Sequence, residues 1–174
     1  MNLKIWSQKN EITFFNYHIT IIDVGGSYRR LCSYMGGKYY EYTAKSKMAF
    51  NPFFVPEGES KNLEEQESLK TLIFTLWKGE SQDISKEEYT ILSKCIISYY
   101  EYLNRASKNK AKVEANFNSF YEFVTTEFAE LLLEEEKVYF DFVSFKMVLK
   151  PYYKGGEYDY LLNSEEEFSI ADLP

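Results

Sequence analysis

A chain of 174 residues, 45% hydrophobic and 18% aromatic, is long and apolar enough to bury a core, which excludes a disordered polymer. Its net charge of −7 disfavours direct nucleic-acid binding, which needs basic surface to replace counterions. With two cysteines, Cys32 and Cys95, and the single His18, a Cys/His metal site is excluded, and reduced buried thiols are expected.

Residues 1–17 show no helical spacing and no unbroken apolar run of the kind that marks a secretory leader. Residues 18–24, HITIIDV, form a β-branched run that ends at Gly25 and Gly26, which predicts a buried parallel strand. Ser27 is placed to cap a following helix, in which Tyr28, Leu31, Cys32 and Met35 repeat at helical spacing. Gly36 and Gly37 stop that helix, and residues 38–43 alternate like a second strand. Residues 18–43 therefore predict one β-α-β unit with a right-handed crossover.

FNPF, residues 50–53, is a turn with aromatic anchors, because Pro52 forces Asn51 out of helical geometry. The polar stretch VPEGESKN at 55–62 is the predicted boundary between two domains, 1–56 and 57–174. The first has an excess of Lys and Arg, and the second carries the acidic charge.

Beyond the boundary the period becomes 3.6. Leu69, Leu72, Ile73, Leu76 and Trp77 form one stripe. Tyr89, Leu92, Ile96, Tyr99, Tyr100 and Leu103 form a second, opened by a Ser85/Glu88 capping box. Phe120, Phe123, Val124, Phe128, Leu131 and Leu132 form a third, with Ser119/Glu122 as its expected capping box. Phe142, Phe145, Val148 and Leu149 form a short fourth, ended by Pro151. A basic polar loop, ASKNKAKVEANFN, separates the second and third stripes. The last segment, PYYKGGEYDYLLNSEEEFSIADLP, has a tight bend at Gly155 and Gly156 and a short helix around Tyr158, Leu161 and Leu162. Sixteen Tyr, fourteen Phe and two Trp imply a large aromatic core, with some rings left for a partner surface.

No complete catalytic set appears. The phosphate-binding pattern GxxxxGK[ST] is absent from the 174 residues. The short matches GGK at 36–38 and KGG at 154–156 read as a helix stop and a turn. The glutamate runs at 134–136 and 165–167 read as solvated surface rather than acid–base pairs. Asp23 ends the first predicted strand, where α/β proteins place ligands, and is the one weak nucleotide-site candidate. Its carboxylate could hold a metal-bound water or a ribose, or simply cap the next helix. No catalytic and no metal-ligating residue is assigned.

IIDVGGSYRRLCSYMGGKYYEYT, AFNPF, ESLKTLIFTLWKG, NSFYEFV and LKPYYKGGEYDYLLN follow one another in a specific order. This order resembles the TraG-type ATPases of conjugative transposons, the motor ATPases of type IV secretion. The resemblance runs from about residue 19 to the C-terminus. It implies an α/β fold class: a partial RecA-like β-α-β unit followed by a mostly α-helical insertion subdomain. It also implies ATP and Mg as cofactors of the full-length protein and other conjugation proteins as partners. The implied location is the cytoplasm, at the inner face of the membrane as part of a secretion complex. Residues 1–17 stand where that family carries its P-loop and helix, but lack its glycines and GK[ST].

The expected chain is thus a fragment, left as a gene remnant or cut as a domain, without nucleotide hydrolysis of its own. A non-catalytic interaction module of the transfer apparatus is the alternative, and completion of a nucleotide site in trans by Asp23 is a third. A strand without neighbours exposes an edge, so self-association is expected, or an N-terminal strand formed by residues 11–17 that covers it. No segment approaches the roughly 20 apolar residues of a membrane span.

Overall fold

The computed structural model describes residues 21, 25–37, 39, 49–56, 61–79 and 83–164. The chain divides into two units, one of Met1–Ser46 with Phe168–Pro174 and one of Lys47–Glu167.

In the first unit the described element is α1, Arg29–Tyr34. Gly25 and Gly26 precede it with φ of 125° and 74°, a backbone that side-chain-bearing residues rarely adopt. Tyr28, not Ser27, occupies the N-cap, and no side chain caps the helix. Ser27 lies one position too early for its hydroxyl to reach the first free amides. The predicted stop is present: Gly36 takes φ 67°, its N–H donates to the Ser33 carbonyl at 3.2 Å, and the Gly37 N–H donates to the Cys32 carbonyl at 2.9 Å. This pair of bonds is the Schellman closure of a helix C-terminus.

The α/β expectation needs correction. The described residues contain no strand and are mostly helical, so a partial RecA-like β-α-β unit is not present in them. Of the predicted strands at 18–24 and 38–43, only Ile21 and Tyr39 are described, and neither is in a ladder; the rest, Asp23 and His18 included, lie outside the described residues. A β-branched run expresses a fit to a pleated surface, and that preference becomes a strand only where a neighbour supplies the ladder.

The second unit is helical. Helix α2, Leu63–Lys78, opens with a capping box in which the Asn62 side chain accepts from the Glu65 N–H at 2.9 Å and Glu65 accepts from the Asn62 N–H at 2.8 Å. Gly79, φ 77°, ends it. Helix α3, Lys86–Lys108, opens with the predicted Ser85/Glu88 box. Helix α4, Phe117–Phe123, begins two residues before the expected cap at Ser119. Asn116 is its N-cap and accepts from the Ser119 N–H at 3.0 Å. Ser119 serves inside the first turn instead, where its hydroxyl lies 2.6 Å from the Tyr99 hydroxyl.

Helix α4 runs into a π-helical turn, Val124–Phe128, then α5, Ala129–Leu131. After Leu132 turns extended come α6, Glu134–Lys137, and α7, Phe142–Leu149, capped by Asp141. A 3-10 turn, Lys150–Tyr152, carries Pro151 and replaces further α-helix, because proline has no N–H to give.

The stripes converge on one core. Leu69, Ile73 and Trp77 of α2, Leu92, Ile96 and Tyr99 of α3, and Phe120, Phe123, Val124 and Phe128 are all buried. Leu131, expected inside, is 49% exposed, because the π turn adds a residue to the helical count and rotates the residues beyond it. The rings meet mostly edge to face or tilted, as their quadrupoles favour. Trp77 lies 5.0 Å from Phe140 and 5.4 Å from Phe145, centroid to centroid.

Polar tips are matched. The Trp77 indole N–H donates to the Ser144 hydroxyl at 3.0 Å, and the Tyr121 hydroxyl donates to the Lys146 carbonyl at 2.9 Å. Lys70 is buried between α2 and α3, held by Glu67, the Ser93 hydroxyl and the face of the Tyr89 ring. Burial opposes its charge, but Glu67 and Tyr89 outweigh that and raise its pKa above the ordinary lysine value.

Candidate functional site

The segment LKPYYKGGEYDYLLN, 149–163, is the most distinctive stretch of the sequence, and it forms a closed knot. Leu149 and Leu162 anchor its ends in the core. Gly155, φ 79°, makes the bend. The Tyr158 N–H returns to the Pro151 carbonyl at 2.8 Å. That return brings the backbone so close that a Cβ on Gly156 would lie 2.2 Å from the Pro151 carbonyl oxygen.

Two other segments are stitched to this knot by asparagines. Asn163 accepts from the Asn118 N–H at 2.8 Å, and its amide donates to the carbonyls of Asp159 at 2.7 Å and Tyr152 at 3.3 Å. Asn118 in turn accepts from the Lys154 N–H at 2.9 Å. Asn51, in the FNPF turn, is buried; it donates to the carbonyls of Ala115 at 2.8 Å and Ser164 at 3.1 Å and accepts from the Phe53 N–H at 3.0 Å. The Phe50 N–H donates to the Leu161 carbonyl at 2.9 Å. Asparagine suits this work because one short side chain offers two donors and an acceptor. Asn163→Ala should remove three such bonds and cost about 1–3 kcal/mol of stability, read as a lower urea midpoint.

Phosphate binding at this turn would require free backbone amides. All three amides of the KGG turn are occupied: Lys154 by Asn118, Gly155 by the Asp159 carboxylate at 3.1 Å, and Gly156 by the Tyr153 carbonyl at 2.8 Å. In the GGK match, Gly36 and Gly37 close α1 and Lys38 lies outside the described residues.

The remaining sequence candidates do not converge. Among residues 134–136, Glu136 grips the Lys94 ammonium with both oxygens at 2.7 Å, and Glu134 pairs with Lys137. Lys94 is the first cause of a lowered Glu136 pKa, which keeps that carboxylate ionised and unsuited to donating protons. Residues 165–167 lie outside the described residues. Burial raises the Cys95 pKa well above its ordinary value, so the thiol is a packing group rather than a nucleophile. No group of three His, Cys, Asp or Glu is placed to hold a metal among the described residues. A groove of about 380 Å³ runs beside the start of α2, where Lys61 lines it together with Glu64 and Glu65.

Among the described residues no buried side-chain nitrogen or oxygen lacks a hydrogen-bond partner. The family model of the TraG P-loop domain matches residues 9–174, and the chain belongs to that conjugation-related P-loop ATPase family. No curated protein and no solved structure matches it. No described helix is long and apolar enough to cross a membrane.

Proposed function

We propose that this chain is one piece of a TraG-type conjugation ATPase and supplies a rigid helical body to that motor rather than its chemistry. The carrying observation is the family match over 9–174 in a sequence without GxxxxGK[ST]. Two described features support this reading: the KGG amides are taken, and Glu136 is held by Lys94. The full-length parent would bind ATP and Mg, drive conjugative transfer at the inner membrane, and work with other transfer proteins. The rival reading is a nucleotide site completed in trans, to which Asp23 is this chain's weak candidate contribution.

Purified chain supplied with MgATP should release phosphate at the background rate and leave a fluorescent ATP analogue unbound. Phosphate release above contaminant controls, tracking the chain through purification, would sink the proposal. Activity that appears only after adding a P-loop-bearing polypeptide, and that Asp23→Ala removes, would instead favour completion in trans.

A further inference from the structure

Away from its buried stripe, α3 carries a second, open face. Lys94, Ser98, Glu101, Arg105 and Lys108 follow one another at steps of four and three, which sets them along one side of the helix for about 21 Å. With Leu131 they line a groove of about 570 Å³. The π turn that rotates Leu131 outward is what places an apolar side chain there.

Positive charge gathers at one end of this groove. Lys94 is already held by Glu136. Arg105 and Lys108 have no ion-pair partner among the described residues. Lys110 and Lys112 follow, so residues 102–113 hold four cations and no acid in a chain of net charge −7. Complementing the helix dipole accounts for Arg105 and Lys108 in the last turn, but not for Lys110 beyond it. Lys110 takes φ 57°, and among the described residues no other side-chain-bearing residue has a positive φ. It closes a Schellman motif: its N–H donates to the Ser107 carbonyl at 2.9 Å, and the Ala111 N–H donates to the Ala106 carbonyl at 3.0 Å. Gly36 fills the same position after α1, where glycine meets no steric penalty. A lysine in glycine's place keeps a charge beside the groove against the backbone's preference, and such strain concentrates at functional sites.

We propose that this end of the groove docks an acidic segment of another protein, with carboxylates on Arg105, Lys108 and Lys110 and an apolar side chain on Leu131. Arginine can hold a carboxylate by two parallel N–H bonds. A nucleic-acid strand fits less well, because no aromatic ring lines the groove to stack a base and the acidic remainder of the chain repels phosphates. The proposal uses the surface of the second unit alone and is independent of the nucleotide reading.

The probe is a fluorescein-labelled peptide of glutamate, leucine and alanine, about 14 residues long to match the groove as a helix. Its polarisation is followed as the chain is added at about 0.1 M salt, where distant like charges are screened. It should bind with a Kd below about 1 mM, and the same peptide with lysine for glutamate should not bind. R105E/K108E should weaken binding about tenfold or more. K110G should weaken it about threefold, as loss of one exposed charge pair does, and should also raise the urea midpoint, because glycine relieves the positive φ. A purely structural Lys110 would give the higher midpoint with unchanged binding. Since K110G favours the folded helix end, it keeps the test decisive even if R105E/K108E is poorly folded by far-UV circular dichroism. The proposal fails if the glutamate peptide does not bind, if K110G or folded R105E/K108E binds it as wild type does, or if single-stranded oligothymidine displaces it.

Discussion

Phe53→Ala is expected to lower the unfolding free energy by about 3–5 kcal/mol. The ring is fully buried. It lies 5.0 Å from Phe120, 6.0 Å from Phe117 and 6.1 Å from Tyr99, centroid to centroid, so truncation removes contacts on three sides. The site has little room to collapse, because its backbone is fixed at both polar groups: the N–H donates to Asn51, and the carbonyl accepts from the Tyr100 hydroxyl at 3.1 Å. Urea titration monitored by far-UV circular dichroism reads the effect. Phe53→Leu should recover most of it, since most of the volume returns. A loss below about 1 kcal/mol for the alanine variant would place the ring outside the cooperative core.

Gly156→Ala is the second large effect, about 3 kcal/mol or more, at the upper end for overpacking. The added methyl would meet the Pro151 carbonyl oxygen at 2.2 Å, its carbon at 2.6 Å and the Lys150 carbonyl oxygen at 2.8 Å. All three are backbone atoms, so no side-chain rotation relieves the clash. Gly155→Ala is the control. Nothing lies within 4 Å of its added methyl, and only its φ of 79° is strained, which costs about 1–2 kcal/mol. If the two substitutions lower the urea midpoint equally, the close return of the chain over Pro151 is not what makes Gly156 necessary.

The parts that could be read from sequence are those written in helical spacing. Leu69, Ile73 and Trp77, or Leu92, Ile96 and Tyr99, repeat at three and four residues because that is how a helix turns one face inward. The Ser85 box and the Gly36 stop were legible because each depends on a few neighbouring residues. The start of α4 was not. Asn116, Asn118 and Ser119 can all cap, and the choice of Asn116 rests on Tyr99 and Asn163, both remote in sequence. The π turn adds one residue without leaving a mark in the pattern. Among the described residues no strand forms: β-branched residues state a preference, and a ladder needs a partner that spacing does not name. The asparagine stitches were missed because polar residues in turns look alike until their distant carbonyls are known. Their one signal was that they stand among aromatic residues, as in FNPF and ANFNSF.

The Asn51 side chain reaches the carbonyl of Ser164, although 113 positions separate the two along the chain. The helical body therefore has its doorway and its exit side by side. A polypeptide can step out of some other scaffold, build this whole body, and step back in almost where it left. Neighbouring ends of this kind are what allow a whole domain to be set into another chain.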